Sequence, residues 1–173
     1  MKILAYFHDD QYVASPIQQI RFTARVYVFN HEGEVAFLHI KGEDGFGLRN
    51  HLESPGGGVE MNESFEEAAI REIDEELGAT ATQFKEIGVV IDRYNIIDRM
   101  TFSVYFSAQL TSLKEELHRT EEEILLIESV EWLDINEALS LLKKADSAVD
   151  LIIHRRELAA FSALCESMKL IKN

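Results

Sequence analysis

Cysteine and proline are scarce in this chain, and basic residues are outnumbered. A lone cysteine, Cys165, cannot close an internal disulfide, so no cross-link holds the fold. Two prolines in 173 residues, with no Ser-rich stretch, exclude a proline-rich linker, and no internal repeat is present. No uninterrupted apolar run approaches the roughly 18 to 20 residues that a membrane-spanning helix needs, so a helical anchor is not expected. The opening MKILAYFHDDQ lacks the basic segment, apolar run and cleavage site of a secretory signal, and a cytoplasmic location is the expectation. Lys and Arg number 17 against 31 Asp and Glu, a net charge of -14 that repels a nucleic acid polymer. What remains is ordinary: 46% hydrophobic residues in a length that suits one globular domain over residues 1–173.

Local patterns set an order of elements. Residues 21–30 alternate, with Phe22, Ala24, Val26 and Val28 on one face, as a strand does; His31 to Glu34 reads as a turn, and residues 35–41 as the second strand of a hairpin. Residues 42–51 read as a polar loop. Pro55-Gly56-Gly57-Gly58 reads as a loop outside regular structure, since adjacent glycines have no side chains to pack. From Ser64 the period becomes helical, with Phe65, Ala68, Ala69, Ile73 and Leu77 on one face, a Ser64/Glu67 capping box and Gly78 as the stop. Strands are expected at residues 84–92, 100–110 and 129–133. Asp134 with Glu137 reads as a second capping box, and a last helical segment runs over about residues 147–170.

The chemistry concentrates in the first helix. Residues three and four apart share a helix face, so Glu72, Glu75 and Glu76 direct their carboxylates towards one region. Like charges placed so destabilise a bare helix, and hard cations such as Mg²⁺ or Mn²⁺ favour such oxygen donors. A solvated helix face in a Glu-rich protein is the plainer alternative.

The glycine segment discriminates between the two. Reading from Gly57, the stretch GGVEMNESFEEAAIREIDEELGA resembles the Nudix box, G-x5-E-x7-R-E-U-x-E-E-x-G-U with U a bulky aliphatic residue. Gly57, Glu63, Arg71, Glu72, Ile73, Glu75, Glu76 and Gly78 match, and Ala79 departs by its smallness. The resemblance implies an α+β fold, the Nudix α/β/α sandwich around a mixed β-sheet, here with a C-terminal helical extension. It also implies hydrolysis of a phosphoanhydride bond by water activated by bound cations. Glu72, Glu75, Glu76 and the Gly57 carbonyl would bind Mg²⁺ or Mn²⁺, and Glu63 with Arg71 would form the ion pair that orients those carboxylates. The proton acceptor would be a box glutamate, Glu75 or Glu76, or one of Glu121 to Glu123, among which Glu122 is favoured. A helix N-terminus after Thr120 accounts equally for those three acidic residues.

Candidate substrate contacts are Arg21 and Arg25 on the polar face of the first strand, Arg49 and His51 before the glycines, and Tyr94 or another strand tyrosine (Tyr27, Tyr105) stacking on a base. The plainer alternatives are a salt-bridging face for the arginines, an ordinary surface position for Arg49 and His51, and core or cross-strand packing for the tyrosines. The partner implied is a small nucleotide-like molecule in which a nucleoside diphosphate is linked to another group. Which group stays open. The proline that ADP-ribose hydrolases often carry past the box is missing, and Tyr94 resembles dinucleoside polyphosphate hydrolases. Glu53-Ser54-Pro55-Gly56-Gly57 is similar to nucleotide-sugar hydrolases. The alternative to an enzyme is a sensor that binds a nucleotide without cleaving it, against which stands the retention of every box glutamate. Val149, Ile152, Ile153, Leu164 and Met168 offer either a homodimer face or a surface that packs onto the chain's own core.

Overall fold

Alternation over the first strand puts two kinds of side chain on its two faces, and this polarity organises the molecule. In a computed structural model, which describes residues 1–114 and 118–168 and only the backbone of Glu122, that strand is β2, Gln19–Phe29. β1 is Ile3–Phe7, β3 Val35–Asp44, β4 Gly47–Glu53, β5 Gly56–Gly58, β6 Ala79–Tyr94, β7 Arg99–Leu113 and β8 Ile127–Leu133. The helices are α1 (Phe65–Leu77), α2 (Glu121–Leu126), α3 (Ile135–Leu142) and α4 (Ala148–Ser167), with a 3₁₀ turn at Asn95–Ile97.

The strands form one mixed sheet in the order β1-β6-β7-β2-β3-β4, with β5 added to β2 and β8 to β3. β1 and β6 run parallel, as do β2 and β7, while β6 and β7, β3 and β4, and β2 and β5 are antiparallel. Ala24, Val26 and Val28 face α1, where they pack with Ala68, Ala69, Ile73 and Leu77. Tyr27 and Phe29, on the other face, pack with α3 and α4 through Leu142, Ala160, Phe161 and Leu164. The sheet is thus covered on both sides, the expected α+β sandwich. Burying a side chain such as Phe161 removes it wholly from water and contributes about 2 to 3 kcal/mol.

Several expectations need correction. Residues 42–51 are not a loop: β3 continues to Asp44 and β4 begins at Gly47, paired from Leu38–Glu53 to Asp44–Gly47, because backbone pairing tolerates polar side chains on an edge hairpin. The glycine segment is not outside the sheet, since Gly56–Gly58 pairs with Arg25, Ala24 and Thr23. β1 was not expected at all. Helix α4 turns Val149, Ile152, Ile153 and Leu164 into the chain's own core, which leaves them unavailable as a dimer face; Met168 is 47% exposed. Residues 169–170 of that expected helix lie outside the described residues.

Candidate active site

Helix α1 is fixed at both ends. The Ser64 hydroxyl accepts from the Glu67 N–H and the Glu67 carboxylate accepts from the Ser64 N–H; at the far end Gly78, at φ 57°, donates to the Asp74 and Ile73 carbonyls. With its ends set, the face that buries Ala68, Ala69 and Ile73 also carries Glu72 and Glu76 into the protein, leaving them 4% and 6% exposed. Glu75 lies beside them, half-buried.

The glycine strand is shaped to this helix. A Cβ on Gly57 would stand 2.3 Å from Oε1 of Glu72, and one on Gly56 would stand 2.2 Å from the Ala24 carbonyl oxygen, at φ 144°. Only glycine lets β5 lie between β2 and the carboxylates of α1. The Gly56 N–H donates to Oε2 of Glu76 at 2.7 Å.

Arg71 ties the cluster together. Its Nε and Nη2 donate to the two oxygens of Glu63 at 2.9 and 3.2 Å, Nη1 donates to Glu72 and Glu75 at 2.9 Å each, and Nη2 also reaches the Gly58 carbonyl at 2.9 Å. This planar fork spans two elements, a reach that a lysine's point charge lacks. The hydrogen bond to Glu63 is the largest of the effects that hold Arg71 protonated far above physiological pH.

One oxygen each from Glu72, Glu75 and Glu123 lies within 4.8 Å of the others. Glu123 comes from α2, where the capping box with Thr120 fixes it: Thr120 N–H donates to Glu123 Oε2 at 2.7 Å. Burial raises the Glu72 carboxyl against the opposing Arg71; burial, then the charge of Glu72, raises Glu76 well above the usual carboxylate range. A group of hard oxygen donors, of which Glu72 lies against a glycine stripped of its Cβ, suits a divalent cation. Glu122, the later glutamate favoured from the sequence, has its side chain outside the described residues, and the structure brings Glu123 to the cluster.

A cleft of about 500 Å³ opens beside these carboxylates, and Glu72, Glu76, Glu123, Arg21, Arg25, Arg49 and Tyr94 are among the residues that line it. The sequence candidates divide there. Arg21 approaches the glycine strand, with Nη2 3.1 Å from where a Gly58 Cβ would stand. Arg25 is instead committed to carboxylates, to Glu53 at 2.7 Å and Glu157 at 3.7 Å, and donates to the Ser54 carbonyl. Arg49 is likewise occupied, by Asp44 at 2.8 Å and by Glu53. Tyr94 is 1% exposed and receives a hydrogen bond from Arg156, so its ring fills core and cannot stack on a base; Tyr27 and Tyr105 are buried too and donate to Glu157. His51 is buried between Glu53 and Asp150.

Beneath the cleft, then, lies a closed ionic network of Arg25, Arg49, Arg156, Glu53 and Glu157. Burial alone would raise Glu53, but the Arg49 and Arg25 guanidinia overcome it and hold its carboxyl well below the usual range. Sequence reasoning missed Glu53 and Glu157 as partners of Arg25 because both lie far from it along the chain, with no local periodicity to link them. Glu123 was readable: Thr120-x-x-Glu123 is a capping-box pattern, which distinguishes position 123 from 122.

The sequence matches the model of the NUDIX domain over residues 19–155, most of its length, and the chain belongs to that family. No curated protein sequence matches it. Among solved structures, a Nudix hydrolase from Nitrosomonas europaea superposes with a TM-score of 0.65 at 15% identity, over 92% of this chain and 97% of that one. A MutT protein from Methanosarcina mazei Go1 gives 0.65 at 16% identity, over 90% and 99%, and an Ap4A hydrolase from C. elegans 0.60 at 16%, over 87% and 99%. At such identities the likeness establishes the fold, the Nudix sandwich, and nothing finer.

Proposed function

We propose that the chain is a divalent-cation-dependent pyrophosphohydrolase that cleaves a phosphoanhydride bond in a nucleoside diphosphate-linked substrate. The observation that carries this reading is the convergence of Glu72, Glu75 and Glu123 within 4.8 Å, with Glu72 and Glu123 lining a cleft large enough for a nucleotide. Glu72, Glu75 and Glu76, with the Gly57 carbonyl, would hold Mg²⁺ or Mn²⁺, with Glu123 beside them. Such cations, when bound, neutralise phosphate charge and lower the pKa of a water.

The chain's own residues do the rest. Arg71, braced by Glu63, holds Glu72 and Glu75 beside each other. Gly56 orients Glu76 through its N–H. Glu123, one oxygen held by the Thr120 N–H, leaves the other to accept the proton released by the attacking water. The scissile anhydride would lie along the glycine strand, with Arg21 beside it.

The test is turnover of nucleoside triphosphates, ADP-ribose, nucleotide sugars and dinucleoside polyphosphates by the purified protein with Mg²⁺ or Mn²⁺, alongside Glu76→Gln. Cation-dependent cleavage that falls about a hundredfold in the variant supports the reading. Nucleotide binding with no turnover across the panel replaces it with a sensor.

A further inference from the structure

Five arginines border the cleft, and they are not in equal states. Arg25, Arg49 and Arg156 are engaged by Glu53, with Asp44 and Glu157 completing their partners. These three stabilise the protein beneath the cleft and have no charge to spare for a ligand. Arg99 differs. Among the described residues it makes no hydrogen bond or ion pair; its guanidinium lies over the Phe46 ring, 5.6 Å from the centroid, and its Nε has no partner. Burial and the neighbouring charge of Arg21 push its pKa down, the effect of a cation placed beside another cation with too little to offset it.

Strand register explains why the two arginines meet. β2 and β7 run parallel with Arg21 opposite Thr101 and Gln19 opposite Arg99, so Arg21 and Arg99 lie on one face, diagonally across neighbouring strands. Arg21 abuts Gly58, one residue from the glycine that touches Glu72. Arg99 lies one strand farther from that point, roughly 5 to 8 Å on. Phe46, which Arg49 also approaches at 5.4 Å, backs the Arg99 guanidinium and limits its movement.

We propose that Arg99 and Arg21 form an anion subsite, distinct from the carboxylate cluster, that takes a phosphoryl group of the substrate beyond the two that flank the scissile bond. This rests on the proposed hydrolase reading and narrows it: the preferred substrates are polyphosphate-extended nucleotides, such as nucleoside triphosphates or dinucleoside polyphosphates. A nucleoside diphosphate linked to a neutral sugar leaves the subsite without an anion.

Equilibrium binding with Mg²⁺ present tests this, with Glu76→Gln as the non-hydrolysing background and inorganic tripolyphosphate and pyrophosphate as probes. Tripolyphosphate should bind at least about tenfold tighter than pyrophosphate, and Arg99→Gln should abolish most of that preference. Arg99→Lys, which keeps the charge and loses the fork, should fall between the two and provides the reading if Arg99→Gln fails to fold, as judged by circular dichroism. Equal affinities for the two probes, or a preference that survives Arg99→Gln, would overturn the subsite. The preference with no nucleotide turnover by the unmutated protein would leave the subsite standing and defeat the hydrolase reading instead.

Discussion

At the scale of single residues, packing and charge place opposite demands on the same few positions. Gly57 is required by contact: its missing Cβ leaves the space that the Glu72 carboxylate fills. Gly57→Ala should therefore fold yet weaken Mg²⁺ binding by at least about tenfold, measured by calorimetry, because either Glu72 or the strand must shift. Asp92 shows a different conflict. It is fully buried on β6, neither oxygen has a hydrogen-bond partner among the described residues, and burial raises its pKa from 3.8 to about 7, with Arg156 and Arg155 opposing. A carboxyl whose folded pKa is raised contributes stability that is present in full below its unfolded value and is lost as pH rises through the folded one. Wild type should accordingly lose stability relative to Asp92→Asn between about pH 4 and pH 7, by on the order of a few kcal/mol, in paired chemical denaturation curves. A constant gap between the two curves would show that Asp92 is ionised as readily in the folded chain as in the unfolded one, against this expectation.

Helix α4 is held to the sheet by both apolar and ionic means. Glu157, 0% exposed, accepts hydrogen bonds from Tyr27, Tyr105 and Arg156 and faces Arg25 at 3.7 Å. Removing it leaves two arginines buried with fewer anions, and Glu157→Ala should cost about 3 to 5 kcal/mol in unfolding experiments. This network also marks where the sequence stops being legible. Helix α1, its capping box and its glycine stop were readable because each depends on residues within one or two turns, and the alternation of β2 gave both of its faces. The partners of Arg25 could not be read: it could have been a substrate ligand or part of a salt-bridging face until α4 delivered Glu157 and β4 delivered Glu53. Tyr94 left core packing and base stacking both open for a related reason, since burial depends on what packs over a strand and α4 packs over this one. Arg99 was overlooked because nothing local separates an unpaired arginine from a paired one.

The whole molecule combines a net charge of -14 with a cleft lined by both carboxylates and arginines. The carboxylates of Glu72, Glu76 and Glu123 come from α1 and α2, and Arg21 and Arg99 come from the strands. A polyanionic substrate of the proposed kind would meet an overall repulsive surface, and cations bound at the carboxylates would offset it, so binding should depend on cation concentration more steeply than on ionic strength. Mg²⁺ at about a hundred times its dissociation constant should stabilise the fold by about 2.7 kcal/mol, a shift of roughly 5 to 10 °C in the thermal midpoint, and Glu76→Gln should reduce that shift. The most direct test of the central claim is hydrolysis of the best nucleotide in ¹⁸O-water, with products weighed by mass spectrometry. The account predicts one ¹⁸O atom in a single phosphate-bearing product, with Mg²⁺ required and chelator abolishing turnover. Cleavage that continues in chelator, or products without ¹⁸O, would contradict it.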